Sequence, residues 1–207
     1  MITIIDYKAG NLTSVQLAFE HIGAKVIITD KPDEIARAQR VVFPGVGAAK
    51  AAMQNLRRLG IIEPLRQIIS QGVPFLGICI GMQLLFDSTE ENGGIECLGF
   101  LPGQVKKFIP GNQFCKIPQM GWNTVKLIQA HPLFEGIEDE SEFYFVHSYY
   151  PAPKKNNMII GQTDYADATF ASVAGNKNIA AMQFHPERSG RIGLKVLENF
   201  CKWNPKC

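Results

Sequence analysis

Phe75-Leu76-Gly77-Ile78-Cys79-Ile80-Gly81-Met82-Gln83 is the stretch that decides the reading of this chain. The short apolar run Val73–Ile78 reads as a buried strand, and it passes through G-x-C-x-G into an apolar helix start. This is a nucleophile-elbow arrangement with Cys in the nucleophile's place. A nucleophile on so tight a turn needs small neighbours two residues to either side, because strand and helix must approach closely. A thiol at a helix N-terminus has its pKa lowered, and a nearby imidazolium lowers it further. A buried cysteine also serves as a small hydrophobe, so the pentapeptide alone leaves both readings open.

Working outward, the first half alternates between the two periods. Ile2–Asp6 is a short β-branched run. Leu12, Val15, Phe19 and Ile22 then recur at helical spacing up to Gly23. Val26–Ile28 and Val41–Phe43 read as strands around the helix-like Pro32–Ala38. The helical stretches Ala48–Leu56 and Ile61–Ile69 lead into the elbow strand. Short apolar strands separated by helices predict a parallel sheet covered on both faces. The second half is strand-rich: Gln104–Phe108, Thr124–Leu127, Phe143–Tyr149, Met158–Gln162, Thr169–Val173 and Ile179–Phe184. Gly175–Asn178 forms a hairpin-like turn between the last two, and a final helix carries Ile192, Val196, Leu197 and Phe200. The reading is one α/β domain over residues 1–207, with an antiparallel extension of the sheet in its second half.

Composition removes several classes of function. With 207 residues, 46% apolar and 19% charged, the chain is too long for a staple-dependent mini-protein and too apolar for a disordered segment. Its 21 basic and 19 acidic side chains leave +2 without a basic stripe, which argues against nucleic acid. Cys79, Cys97, Cys115, Cys201 and Cys207 are odd in number and widely spaced, so neither a disulfide framework nor a structural zinc site is expected. The N-terminal apolar run ends at Asp6 and reads as a strand, not a signal peptide. The uncharged span Gln67–Phe86 is broken by Gly72, Pro74, Gly77 and Gly81, which suits a turn and a strand better than a bilayer span. A soluble cytoplasmic protein without membrane contact is the expectation.

A cysteine nucleophile needs a base, and the chain has 4 histidines. His21 near the end of the first helix and His131 before Pro132 read as surface or capping residues. His185 stands in Phe184-His185-Pro186-Glu187. Pro186 keeps His185 extended, and residues two apart on extended chain share a side, so Glu187 can reach and orient the imidazole. His147, in Phe145-Val146-His147-Ser148-Tyr149-Tyr150, has no carboxylate at a useful spacing and reads as a strand-end histidine in a polar cleft. Nothing in the spacing of Cys79, His147 and His185 favours zinc. Phe43-Pro44-Gly45-Val46-Gly47 follows a strand and precedes a helix, so its N–H groups can join that of Ile80 as an oxyanion hole. Gly45-x-Gly47-x-x-Lys50 faintly mimics a dinucleotide fingerprint, but it lacks the last small residue and does not follow the first strand.

G-x-C-x-G, the Gly-rich loop before it and His-Pro-Glu after it together resemble class I glutamine amidotransferases over essentially the whole length. Asp6-Tyr7-Lys8-Ala9-Gly10-Asn11-Leu12, the elbow ending Gly81-Met82-Gln83, Met120-Gly121-Trp122-Asn123 and Phe145-Val146-His147-Ser148-Tyr149 resemble, within that class, the glutaminase subunits of imidazole glycerol phosphate synthases. Lys8 departs from the glycine usual in the opening motif, and carries strain if φ is positive there. The resemblance implies a flavodoxin-like, mostly parallel sheet flanked by helices, and a Cys79–His185–Glu187 triad hydrolysing glutamine through a γ-glutamyl thioester. It implies Gly47 and Ile80 as oxyanion donors, Gln83, Glu91 (or Glu90 beside it), Ser148 and Tyr149 as glutamine contacts, and no cofactor or metal. It further implies a (β/α)8-barrel cyclase partner in a heterodimer, receiving ammonia for histidine biosynthesis, with Asn11, Met120 and Trp122 as interface candidates. Core packing is the other reading of Met120 and Trp122. A paralogous synthase and a non-catalytic docking subunit are the rival functions.

Overall fold

The alternation of short β-branched runs and amphipathic segments is realised in a computed structural model that describes residues 1–10, 12–111 and 115–205. In chain order the elements are β1 (Ile2–Ile5), α1 (Thr13–His21), β2 (Val26–Thr29), α2 (Pro32–Ala36), β3 (Val41–Gly45), α3 (Ala49–Arg58), α4 (Ile62–Ser70), β4 (Phe75–Cys79) and α5 (Ile80–Gln83). They continue with β5 (Ser88–Thr89), β6 (Ile95–Glu96), β7 (Gly103–Lys107), β8 (Gln119–Leu127), β9 (Ser141–His147), β10 (Tyr149–Pro153), β11 (Ile159–Tyr165), β12 (Ala168–Asn176), β13 (Ile179–Met182) and α6 (Gly190–Lys202).

A 9-stranded sheet runs in the order β2-β1-β3-β4-β13-β12-β11-β8-β9. From β2 to β13 every neighbouring pair is parallel, and from β13 to β9 every pair is antiparallel. The parallel part follows the doubly wound, flavodoxin-like order, whose ligands gather beyond the carboxyl ends of the strands. Alternation along the strands fills two cores. Ile5, Val41 and Phe43 face Met53, Leu56 and Leu65 of α3 and α4, while Ile4 and Val42 face Val15 and Phe19 of α1 and Val196 and Phe200 of α6. Among the described residues no helix is long and apolar enough to cross a membrane.

Three expectations change. Phe143–Tyr149 is not one strand. β9 stops at His147, and β10 joins a second, 4-stranded sheet in the order β10-β7-β5-β6. The helix after the elbow is a single turn. Ile192 on α6 is exposed, while Val196, Leu197 and Phe200 are buried as expected. The Gly175–Asn178 hairpin is present, with Asn176 opposite Ile179.

Candidate active site

The carboxyl ends of three adjacent strands converge on one place. β3 and β4 are in register with Gly45 opposite Cys79, and β13 on the other side of β4 leads directly to His185. Cys79 adopts φ 54°, ψ −112°, the strained turn that the elbow requires. The two elbow glycines explain why the turn closes. A Cβ on Gly77 would lie 3.0 Å from Leu85 and 3.1 Å from the Ala181 Cβ, and one on Gly81 would collide with the Phe43 carbonyl oxygen.

The side chains of His185 and Glu187 are both buried, with Nδ1 and Oε1 2.7 Å apart. Burial, the largest influence on His185, opposes its charge. The Cys79 charge and hydrogen bond, followed by those of Glu187, outweigh it and raise the imidazole pKa to about 10. Nε2 of His185 is buried on the side of the ring that faces Cys79. Gln183, in the bend that follows β13, donates Nε2–H to the Cys79 sulfur at 3.7 Å. In sequence, a polar side chain two residues before His185 in the otherwise apolar run Ile179–Phe184 is the signal that points to it.

A cavity of ≈ 360 Å³ opens above the thiol, lined among others by Val46, Gly47, Cys79, Gln83, Glu91 and Tyr149. Ile80, Ser148, His147 and Pro118 complete much of the wall. Gln83 Nε2 donates to the Tyr149 carbonyl and to Gln183 Oε1, both at 2.9 Å. Glu91 accepts from the Ala49 amide at 2.7 Å and faces the cavity, whereas Glu90 accepts from the Lys107 amide and does not line it. Gly47, at φ 94°, reaches the cavity; the amide of Val46 beside it instead donates to the Ala9 carbonyl at 2.9 Å.

His147 ends β9 and lines the cavity, as its strand-end reading expects, but its ring has an aromatic setting. Its ring lies among Phe108, Phe145 and Phe170, with Nδ1 2.8 Å from the Tyr149 carbonyl. Burial first, and His185 as a smaller influence, lower its pKa to about 4, so it is neutral at pH 7. His131 has the capping role expected of it, its ring accepting from the Leu133 amide. Among the described residues no cluster of His, Cys, Asp and Glu could hold a metal. Lys8 does adopt positive φ (60°), and its ammonium bridges Asp6 at 2.6 Å and Asp30 at 3.0 Å. Met120 (66% exposed) and Trp122 (54%) stand on the surface, not in the core. Asn11 lies outside the described residues.

The family model "Glutamine amidotransferase class-I" matches residues 3–203. The chain is 50% identical to "Imidazole glycerol phosphate synthase subunit HisH" of Dehalococcoides mccartyi over 202 residues, 98% of this chain and 97% of that protein. It is 50% identical to the protein of the same name from Methanocaldococcus jannaschii over 200 residues, 97% of this chain and 98% of the other. A solved structure described as "Crystal structure of glutamine amidotransferase" superposes with a TM-score of 0.72 at 16% identity, covering 98% of each chain, which bears on the fold alone.

Proposed function

Since the chain belongs to the class I glutamine amidotransferase family, we propose that it is the ammonia-producing subunit of an imidazole glycerol phosphate synthase in histidine biosynthesis. Cys79 is then the nucleophile, His185 its acid and base, and Glu187 the group that orients the imidazole. The observation that carries the reading is the 2.7 Å contact between His185 and Glu187 beside a cysteine held at positive φ under a cavity.

The chemistry follows from these positions. The Cys79 thiolate adds to the side-chain amide carbon of glutamine, and the Ile80 and Gly47 amides donate to the oxygen as it gains charge. The His185 imidazolium gives its proton to the amide nitrogen as the C–N bond breaks. Ammonia departs and a γ-glutamyl thioester remains. Neutral His185 then takes a proton from water, hydroxide adds to the thioester carbon, and collapse releases glutamate and the thiolate. Nε2 of Gln83 is committed to two acceptors, so its Oε1 is left for the α-ammonium of glutamine, together with the second oxygen of Glu91. Backbone groups of Ser148 and Tyr149 hold the other end.

Ammonia becomes ammonium in bulk water at pH 7, so the product has to leave through a covered interface. Met120 and Trp122 supply exposed apolar surface for the (β/α)8-barrel cyclase. The bond from the Val46 amide to Ala9 supports a resting state in which the Pro44–Gly47 segment withholds a donor until the partner acts. One absent oxyanion donor costs about 10²–10³ in rate, so the free chain is expected to be a slow glutaminase.

In the complex, Cys79→Ala is expected to abolish synthesis from glutamine and to keep synthesis from added ammonium salts. Loss of both would make Cys79 structural. Turnover of glutamine by the free chain at the rate of the complex would refute the resting state and leave the triad standing.

A further inference from the structure

Tyr7 carries a hydroxyl that this state does not use. The side chain is 1% exposed and its ring lies 4.7 Å from that of Phe43, yet the buried hydroxyl has no hydrogen-bond partner. Phenylalanine would fill the same space without burying an unpaired polar atom.

The hydroxyl stands against the gate segment. A Cβ built on Gly45 would collide with the Tyr7 oxygen and come within 3.2 Å of Ile80 Cγ2. Gly45 is the last residue of β3 and lies opposite Cys79. Burial first, and the Cys79 charge second, hold the phenol pKa well above its usual value, so the proton stays on and the group is a donor.

The neighbouring peptide is oriented by a known bond. The Val46 amide points to Ala9, which follows β1, and β3 lies between β1 and β4. In a trans peptide the N–H and C=O point in opposite directions. The Gly45 carbonyl is therefore directed toward β4 and the elbow, where it would repel an oxyanion. Rotation of this one peptide turns the Val46 amide into the cavity, where it joins those of Ile80 and Gly47 as the donor withheld at rest, and swings the Gly45 carbonyl away from the elbow while the Tyr7 oxygen stands against Gly45.

We propose that the Tyr7 hydroxyl is the waiting donor for the Gly45 carbonyl, latching Pro44–Gly47 in its competent state once Val46 has released Ala9. This rests on the gated reading given above. Tyr7 is a positioning residue, since it touches neither glutamine nor the thiol. A hydrogen bond made in one state and absent from the other shifts their balance by about tenfold.

The experiment compares glutamine kcat and KM for the free chain and for the complex with the cyclase and its bound nucleotide substrate. Tyr7→Phe is expected to lower the complex-to-free ratio of kcat about tenfold, with KM for glutamine and the melting temperature preserved. Thr3→Val removes another unpartnered buried hydroxyl, from β1 away from the gate, and is expected to leave the ratio unchanged. A stimulated wild-type complex whose ratio survives Tyr7→Phe overturns the latch and spares the gate. A ratio that falls only together with the melting temperature overturns the latch in favour of simple packing. An unaltered chain that the cyclase does not stimulate removes the gate and the latch with it.

Discussion

Cys79 sits at φ 54° and ψ −112°, a backbone region that costs roughly 1–3 kcal/mol and persists only where the surroundings over-determine it. Those surroundings include His185. His185 keeps its proton to about pH 10 in the fold, against 6.5 for the ordinary side chain. A raised pKa contributes stability that is complete below 6.5 and is lost as pH rises through 10. Glu187→Gln removes one of the two groups supporting that proton, so the NMR titration midpoint of the His185 ring is expected to fall. Glutaminase turnover is expected to drop without vanishing, whereas His185→Asn should come close to erasing it. An active His185→Asn variant would move the base elsewhere, with His147 next in line. The convergence of Cys79, His185 and Glu187 was legible in sequence because local rules encode it: the small residues around Cys79, and the extended His-Pro-Glu spacing. Tyr7 was not, since its meaning arises only where β1 and β3 meet; nor was the aromatic setting of His147, supplied by strands far apart in the chain.

The elbow is an element whose tolerance is set by a single backbone approach. Gly81→Ala drives a methyl group into the Phe43 carbonyl oxygen, so β3 and α5 must separate. The variant is expected to melt well below the unaltered chain, by a margin on the order of 1–3 kcal/mol for an overpacked site, and to lose alkylation of Cys79 by a glutamine-like reagent. Normal melting with normal alkylation would mean that the strand and the turn have room to move. The parallel strands were readable because β-branched runs alternated with helical spacing. The break at Ser148 was not. The apolar pattern from Phe143 to Tyr150 continues across it, while the pairing changes from β8, where Gln119 faces His147, to β7, where Lys107 faces Tyr149. Periodicity reports which side a residue faces, not which neighbour it pairs with.

At the scale of the whole molecule, the buried His147 and the half-buried His131 set the acid limit. His131 and His147 are both lowered by burial to about 4, against 6.5 for the ordinary side chain. A depressed histidine pKa gives stability that is present above 6.5 and lost as pH falls through 4, at most on the order of 3 kcal/mol for each. Urea unfolding at pH 7 and pH 4.5 is expected to show that loss, and His131→Gln to flatten part of it; a variant with the full slope would assign the effect to other groups. Trp122→Glu tests the exposed face: affinity for the cyclase should fall, while the melting temperature of the free chain stays where it was. The sequence placed Trp122 between core and interface, because a lone aromatic at a strand position is compatible with both, and only the completed sheet leaves it outside.

The cavity is built by two sheets, and that division has a consequence for descent. Cys79 ends β4 of the larger sheet, and His185 and Glu187 lie just beyond the end of the adjacent parallel strand β13. Tyr149 begins a strand of the smaller sheet, and Glu91 lies in the connection between two others. In the proposed reading the bond-breaking residues belong to the larger sheet, and the residues that grip glutamine are shared between that sheet, through Gln83 of α5, and the smaller one. Substitutions in the small sheet can accumulate, and a lineage can alter that share of the cavity wall while Cys79, His185 and Glu187 pass on unaltered.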